Sequence, residues 1–280
     1  MSEYDWAADQ GDKWLAQLSG LEAMMKEIDA PLLEALPLTT LQPNGAPIRI
    51  ADIASGGGGT TFEVEKLAPQ NSVIHGYDIS SALVESANVR AKKQGSRATF
   101  ETANLQTSPQ PNEKYDYLVS RFGMMFFDQP SDAFSNIHNW LKPYGQFAIA
   151  VWGDPKQKPW MSALREVAGQ YVDLPKPERS APGPFRYSDT DLLLQELDTA
   201  CFKHLKIKGW RGQLPLGGGL NAADATSFAL AMFTIREPLI EAGGSVFEDA
   251  SKALTGLLKS FEKDGQVMMD AYLHIITGSV

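Results

Sequence analysis

Cysteine is nearly absent: Cys201 stands alone among 280 residues. That excludes an intrachain disulfide and a thiolate-rich zinc site, each of which needs several sulfurs. A lone thiol fits a reducing compartment, and the cytoplasm is the expected location. Histidine is scarce too. His75, His138, His204 and His274 show no H-x-x-x-H or H-E-x-x-H spacing, so no metal site is expected. Basic charge is in the minority, with 25 Lys and Arg against 34 Asp and Glu. No Lys/Arg run offers the phosphate-neutralising face that a nucleic-acid partner requires. No stretch approaches the roughly 18 consecutive apolar residues of a membrane-crossing helix. The opening residues, MSEYDWAADQGDKW, are acidic and polar, unlike a secretory signal.

What is present is a globular mixture, 43% apolar and 21% charged, on a chain long enough for one large domain or a domain with a cap. No internal repeat or low-complexity tract interrupts it. Trp14, Leu18, Leu21, Met25, Ile28 and Leu32 recur at steps of three and four, predicting one face of a helix. Pro37, Pro43, Asn44, Gly45 and Pro47 then break it. Strand-like runs follow at 48–53, 72–78, 98–103, 115–121 and 146–152, with helices expected at 60–67, after Ser80, and from Pro130. Strand and helix alternating at this rhythm imply parallel strands joined by crossovers, an α/β doubly wound sheet in a three-layer sandwich. The second half is less regular. Pro175, Pro177, Pro182 and Pro184 read as an extended loop, and 191–201 as a helix. A strand at 204–210, a flexible joint at Gly217, Gly218 and Gly219, helices at 222–234 and 246–263, and a last strand at 271–277 complete the expectation.

In an open parallel sheet, ligands bind beyond the carboxyl ends of the strands, where the strand order reverses. Gly56, Gly57, Gly58 and Gly59 occupy the turn after the first strand, where absent Cβ atoms let a ligand approach the backbone. Asp78 ends the second strand, and a carboxylate there can accept hydrogen bonds from both ribose hydroxyls of a nucleoside. Together these imply an adenosine-containing cofactor. A dinucleotide turn wants a third small residue, but the two possible registers put Thr61 or Phe62 there.

The run Asp52-Ile53-Ala54-Ser55-Gly56-Gly57-Gly58 resembles the D-[VI]-G-C-G-T-G loop of class I S-adenosylmethionine-dependent methyltransferases, specifically the small-molecule enzymes related to quinone and sterol biosynthesis. Gly76-Tyr77-Asp78-Ile79-Ser80 is similar to that family's G-x-D-x-S, whose acid binds the cofactor ribose. Ala103-Asn104-Leu105-Gln106 stands where the family has A-D-A-x beside the adenine amine, with Asn104 in place of Asp. The stretch YDYLVSRFGMMFF at 115–127 resembles F-D-V-V-x-S-R-F-G-x-M-F-F, which implies that Arg121 and Phe122 lie beside the cofactor. Leu141-Lys142-Pro143-Tyr144-Gly145 resembles L-x-P-G-G, and Pro159-Trp160 an N-P-W. The Trp14 helix matches one that covers the cofactor in relatives. Ala54 and Ser55 depart from Gly-Cys, and Tyr144 from Gly.

The resemblance implies a single domain over 1–280, with a helical cover at 1–36, a cofactor core at 48–153 and substrate-lid elements at about 160–265. The sheet would have seven strands, the last antiparallel and inserted beside the fifth. The implied cofactor is S-adenosyl-L-methionine, leaving S-adenosyl-L-homocysteine, and the implied partner is a small, rather apolar methyl acceptor; the protein would be a monomer or homodimer. The implied cofactor residues are Trp14, Asp52, Ala54, Ser55, Gly56, Gly58, Asp78, Ile79, Asn104, Leu105, Arg121 and Phe122. Met125, Phe126, Trp152 and Trp160 are expected to wall the acceptor pocket, with core packing the alternative for Met124 and Met125. Met232, Met268 and Met269 read as core. Displacement at a sulfonium needs in-line positioning in a dry pocket, and an oxygen or nitrogen nucleophile also needs a base. No base is identifiable: all four histidines read as structural or surface residues. A nicotinamide-dependent oxidoreductase and a non-catalytic S-adenosylmethionine-binding protein remain alternatives.

Overall fold

The computed structural model describes residues 5–39, 45–157, 159–174, 178 and 180–280. Pro43, Asn44, Pro175 and Pro177 lie outside the described residues. The chain opens with α1 (Asp9–Ala16), α2 (Leu18–Met25) and α3 (Asp29–Leu33), the last two joined by a 3-10 turn at Lys26–Ile28. The single helix expected here is therefore broken. Gln17 leaves helical geometry at φ −110° and ψ 12°, letting α1 take its own direction.

The core then follows as β1 (Arg49–Ile53), α4 (Gly59–Leu67), β2 (Val73–Asp78), α5 (Ser81–Gln94), β3 (Thr99–Thr102), β4 (Tyr115–Arg121), α6 (Pro130–Trp140) and β5 (Leu141–Trp152). Beyond it come α7 (Pro159–Ala168), α8 (Thr190–Thr199), β6 (Lys203–Pro215), α9 (Ala222–Met232), α10 (Arg236–Glu241), α11 (Val246–Lys259), β7 (Glu262–Lys263) and β8 (Gln266–Ser279). Strand order is β3-β2-β1-β4-β5-β8-β6, with the first five parallel and β8 antiparallel between β5 and β6. The expected seven-stranded sheet, helices on both faces and the last strand beside the fifth, is present. The two-residue β7 pairs with β8 alone.

Local chemistry sets these boundaries. Ser80 Oγ accepts the Leu83 N–H and caps α5, and Gly95 at φ 67° ends it in the left-handed conformation. Ile50, Ala51, Ile53, Leu118, Val119 and Ala148 through Val151 are essentially inaccessible, as strands covered on both faces must be. Later elements depart more from expectation. The strand expected at 204–210 runs from Lys203 to Pro215, the last one from Gln266 to Ser279, and α10 was not foreseen. The helix expected to reach 263 stops at Lys259, where the chain turns back through Asp264 (φ 50°) and Gly265 (φ 77°). The three consecutive glycines are no flexible joint. All have positive φ, and they form a tight turn packed on α2, where a Cβ on Gly20 would lie 3.0 Å from the Gly217 oxygen.

Candidate active site

The strand order reverses between β1 and β4, which places a crevice at their carboxyl ends. Both strands end in strained turns. Ala54 adopts φ 55° and Phe122 φ 65°, left-handed values that cost a residue with a Cβ about 1–2 kcal/mol. The two turns touch: a Cβ on Gly123 would sit 2.2 Å from that of Ala54. Backbone strain of this kind persists where surrounding structure holds it, and it gathers at ligand sites.

A cavity of about 340 Å³ opens at this point. Of the residues expected at the cofactor, Trp14, Asp52, Ala54, Ser55, Gly56, Asp78, Ile79, Asn104, Leu105, Arg121 and Phe122 line it. Gly58 does not. It starts α4 at φ 88°, and a Cβ there would meet the Phe100 ring at 2.7 Å, so its role is internal packing. Gly56 is the open position: at φ 54°, a Cβ would find only Trp14 Nε1, 3.8 Å away.

Asp78 is buried, with one carboxylate oxygen accepting Gly56 N–H (2.8 Å) and the other Ser80 N–H (2.9 Å). Burial pushes its pKa up, and these backbone donors pull it back. A carboxylate offers about four lone-pair sites, and the backbone donors of Gly56, Ser80 and Ile79 leave about one for a further donor. Asp52 accepts the Thr61 hydroxyl at 2.6 Å, and burial raises its pKa to about 7. Asn104 differs from expectation, since its Oδ1 already accepts the Gln106 backbone N–H (3.0 Å) and side-chain amide (3.2 Å) in a local turn. Arg121 lines the cavity, but its Nη1 is held by Asp29 Oδ2 (3.0 Å) and the Met25 carbonyl (3.1 Å).

The N-terminal helices close the cavity from above. Trp14, Leu18, Glu22 and Met25, at helical spacing across α1 and α2, all line it. Arg90 on α5 latches this cover. Its guanidinium grips both Glu22 oxygens at 2.6 Å and also donates to the Gly57 carbonyl. Trp6 completes the wall, edge-on to Trp14 (5.3 Å) and Phe126 (4.9 Å). Sequence reasoning missed Trp6, Glu22 and Arg90. Trp6 precedes the helical register, and the Glu22–Arg90 pair spans 68 residues, so periodicity carries no trace of either.

A second cavity, about 1130 Å³, adjoins the first, and Trp6, Trp14, Met25, Phe122 and Phe126 form a wall common to both. Met125, Phe126, Trp152 and Trp160 all line it, while Met124 is buried core. Trp152 stacks on Phe122 at 4.1 Å, joining the end of β5 to the strained turn after β4. Met232, expected in the core, also lines this cavity, whereas Met269 is fully buried. Among the histidines, His274 lines the larger cavity, its ring 5.0 Å from that of Tyr272. His75 bonds the Tyr115 hydroxyl, His138 packs on Phe202 and His204 meets Ser279. No group of three His, Cys, Asp or Glu among the described residues could hold a metal ion, and no described helix is long and apolar enough to cross a membrane.

Comparison with known proteins agrees with this geometry. Residues 50–145 match the family described as a methyltransferase domain. The chain is 30% identical over 114 residues to the ubiquinone/menaquinone biosynthesis C-methyltransferase UbiE of Geobacter sulfurreducens, covering 39% of this chain and 44% of that protein. It is 25% identical over 129 residues to an uncharacterized protein of Mycobacterium tuberculosis, covering 46% and 45%. The matched region thus spans less than half the length of these curated relatives. Among solved structures, the YcgJ protein of Bacillus subtilis superposes with a TM-score of 0.57 at 14% identity, covering 91% of this chain and 98% of that one. Phosphoethanolamine N-methyltransferase 2 of Haemonchus contortus, in complex with S-adenosyl-L-methionine, gives 0.55 at 14% identity over 99% and 60%. Residues 50–145 are thus similar to a methyltransferase domain, and the chain has the class I S-adenosylmethionine-dependent methyltransferase fold.

Proposed function

We propose that the protein binds S-adenosylmethionine in the smaller cavity and transfers its methyl group to a small, largely apolar acceptor in the larger one. The observation that carries this reading is the aromatic wall common to both cavities, which joins the crevice at the switch point to a larger, mostly apolar chamber. The smaller cavity suits such a cofactor. Gly56 leaves backbone open to it, and Trp14, Ile79 and Leu105 line it beside the Asp78 carboxylate. A dinucleotide fits less well. Thr61 stands at the position where that turn needs a small residue, with its hydroxyl committed to Asp52.

Bound there, S-adenosylmethionine supplies an electrophilic methyl that needs no metal. The protein's part is positioning. The remaining lone pair of Asp78 accepts a ribose hydroxyl. Arg121, its charge shared with Asp29, brings partial positive character to the wall without requiring an anion. Phe122, Phe126, Trp6 and Trp14 exclude water from the path between cavities, which strengthens every electrostatic contact inside. The chain reads as a single domain on the contiguous hydrophobic cluster that runs through its described residues, with 1–36 as cover, 48–153 as cofactor core and about 160–265 as lid. A cytoplasmic monomer or homodimer is the corresponding cellular form.

Incubation with methyl-tritiated S-adenosylmethionine and a panel of apolar small molecules tests this reading. Tritium is expected in an organic-extractable product. Saturable cofactor binding with no transfer to any acceptor class would assign the chain to non-catalytic S-adenosylmethionine binding instead.

A further inference from the structure

The larger cavity is apolar over most of its wall, yet one side chain on it is built for an anion. Arg186 lies in the segment between α7 and α8, which is pinned to the turn after β4: Gly183 N–H donates to the Met125 carbonyl, and Arg186 Nη1 donates to the Phe127 carbonyl. The guanidinium also rests 5.5 Å from the ring of fully buried Tyr187. It is therefore fixed beside the wall common to both cavities. Its charge is unanswered. Among the described residues Arg186 has no carboxylate partner, and its Nε is buried with no hydrogen bond at all.

A partly buried guanidinium normally pairs with a carboxylate or phosphate in a two-pronged contact through Nε and one Nη. Here Nε is enclosed, and Nη2 is the nitrogen of that edge left open, without a protein acceptor among the described residues, on a residue that lines the larger cavity. Three acids share the cavity wall, but none serves it. Asp154 and Asp189 each commit an oxygen to a backbone N–H, of Lys156 and Asp191 respectively, and Glu178 is exposed.

We infer that Arg186 is a specificity-determining residue for an acceptor consisting of an apolar body with one oxyanion group, a carboxylate or a phosphate monoester. The apolar walls hold the body, and Arg186 holds the anion, orienting the acceptor toward the wall that Phe122 and Phe126 share with the cofactor cavity. This deepens the methyltransferase reading, which assigns the larger cavity to the acceptor.

Calorimetric titration of the full chain, saturated with S-adenosylhomocysteine, tests it with matched probes: octanoate against octanamide, decanoate against decanamide, and phenylpropanoate against phenylpropanamide. At least one carboxylate is expected to bind about tenfold or more tightly than its neutral partner. Arg186→Gln should bring that pair within about threefold, while Arg186→Lys should keep part of the preference, with melting temperature monitoring the fold. Equal binding of all carboxylates and amides by the wild type overturns the inference. So does a preference that survives in Arg186→Gln. Failure of S-adenosylhomocysteine to bind counts against the methyltransferase reading alone, because the same probe pairs titrated without it still decide the anion site.

Discussion

The latch between Arg90 and Glu22 makes a quantitative prediction about cofactor binding. Arg90 reaches from α5 to grip both oxygens of Glu22 on the cover, at 2.6 Å each, and donates to the Gly57 carbonyl of the glycine turn. Its guanidinium also lies 5.3 Å from the Phe62 ring. One side chain therefore ties cover, turn and core helix together around the smaller cavity. Side-chain exposures of 35% for Arg90 and 19% for Glu22 temper the strength. A partly exposed, bidentate pair is worth about 1 kcal/mol, near the upper end for surface ion pairs. Arg90→Ala and Glu22→Ala should each loosen the cover and raise the dissociation constant of S-adenosylhomocysteine about fivefold. The double variant should be no worse than Arg90→Ala alone, a non-additivity of about 1 kcal/mol in a double-mutant cycle. Calorimetry on the four proteins at low salt reads this, and the wild-type advantage should shrink in about 1 M salt, where the Debye length falls to about 3 Å. Dissociation constants within twofold across all four proteins would refute the cover's part in the site.

Asp78→Asn keeps one acceptor oxygen but turns an amide N–H₂ toward a backbone donor. It should weaken S-adenosylhomocysteine about 10- to 100-fold in the same titration. Asp52 tests pH linkage. Folding raises its pKa from 3.8 to about 7, so the native state holds the extra proton, and the associated stability is full below the lower value and lost as pH rises through the upper one. Urea unfolding at several pH values should show the stability difference, wild type minus Asp52→Asn, falling across that window; a difference flat in pH would contradict the assignment. Tyr144 is 88% exposed at φ 65° where the family pattern has glycine. Tyr144→Gly should stabilise by about 0.5–1 kcal/mol, the relief of left-handed strain less the added chain entropy, and thermal unfolding checks the sign.

The core was legible because its signals are local. Alternating strands and helices from β1 to β5, the glycine turn and Asp78 all follow from period and turn chemistry within a few residues, and the structure places each where expected. Asn104 shows where such reading stops: its type was right for an acceptor, but its oxygen is taken by its own turn through Gln106. Gly58 was grouped with the ligand-facing glycines, and only packing against Phe100 separates it from them. The break at Gln17 escaped because apolar spacing continues across it while the backbone does not. Arg186 was invisible for a different reason. It sits in a proline-rich loop with no period, and its significance comes from the carbonyls of the turn after β4 that hold the loop and from the lack of a carboxylate partner among the described residues.

Calorimetric titration of the purified protein with S-adenosylhomocysteine, with NAD run in parallel, bears on everything above. A single saturable site for S-adenosylhomocysteine and none for NAD is the expected result. Binding of NAD alone would contradict the assignment of the cavity between β1 and β4.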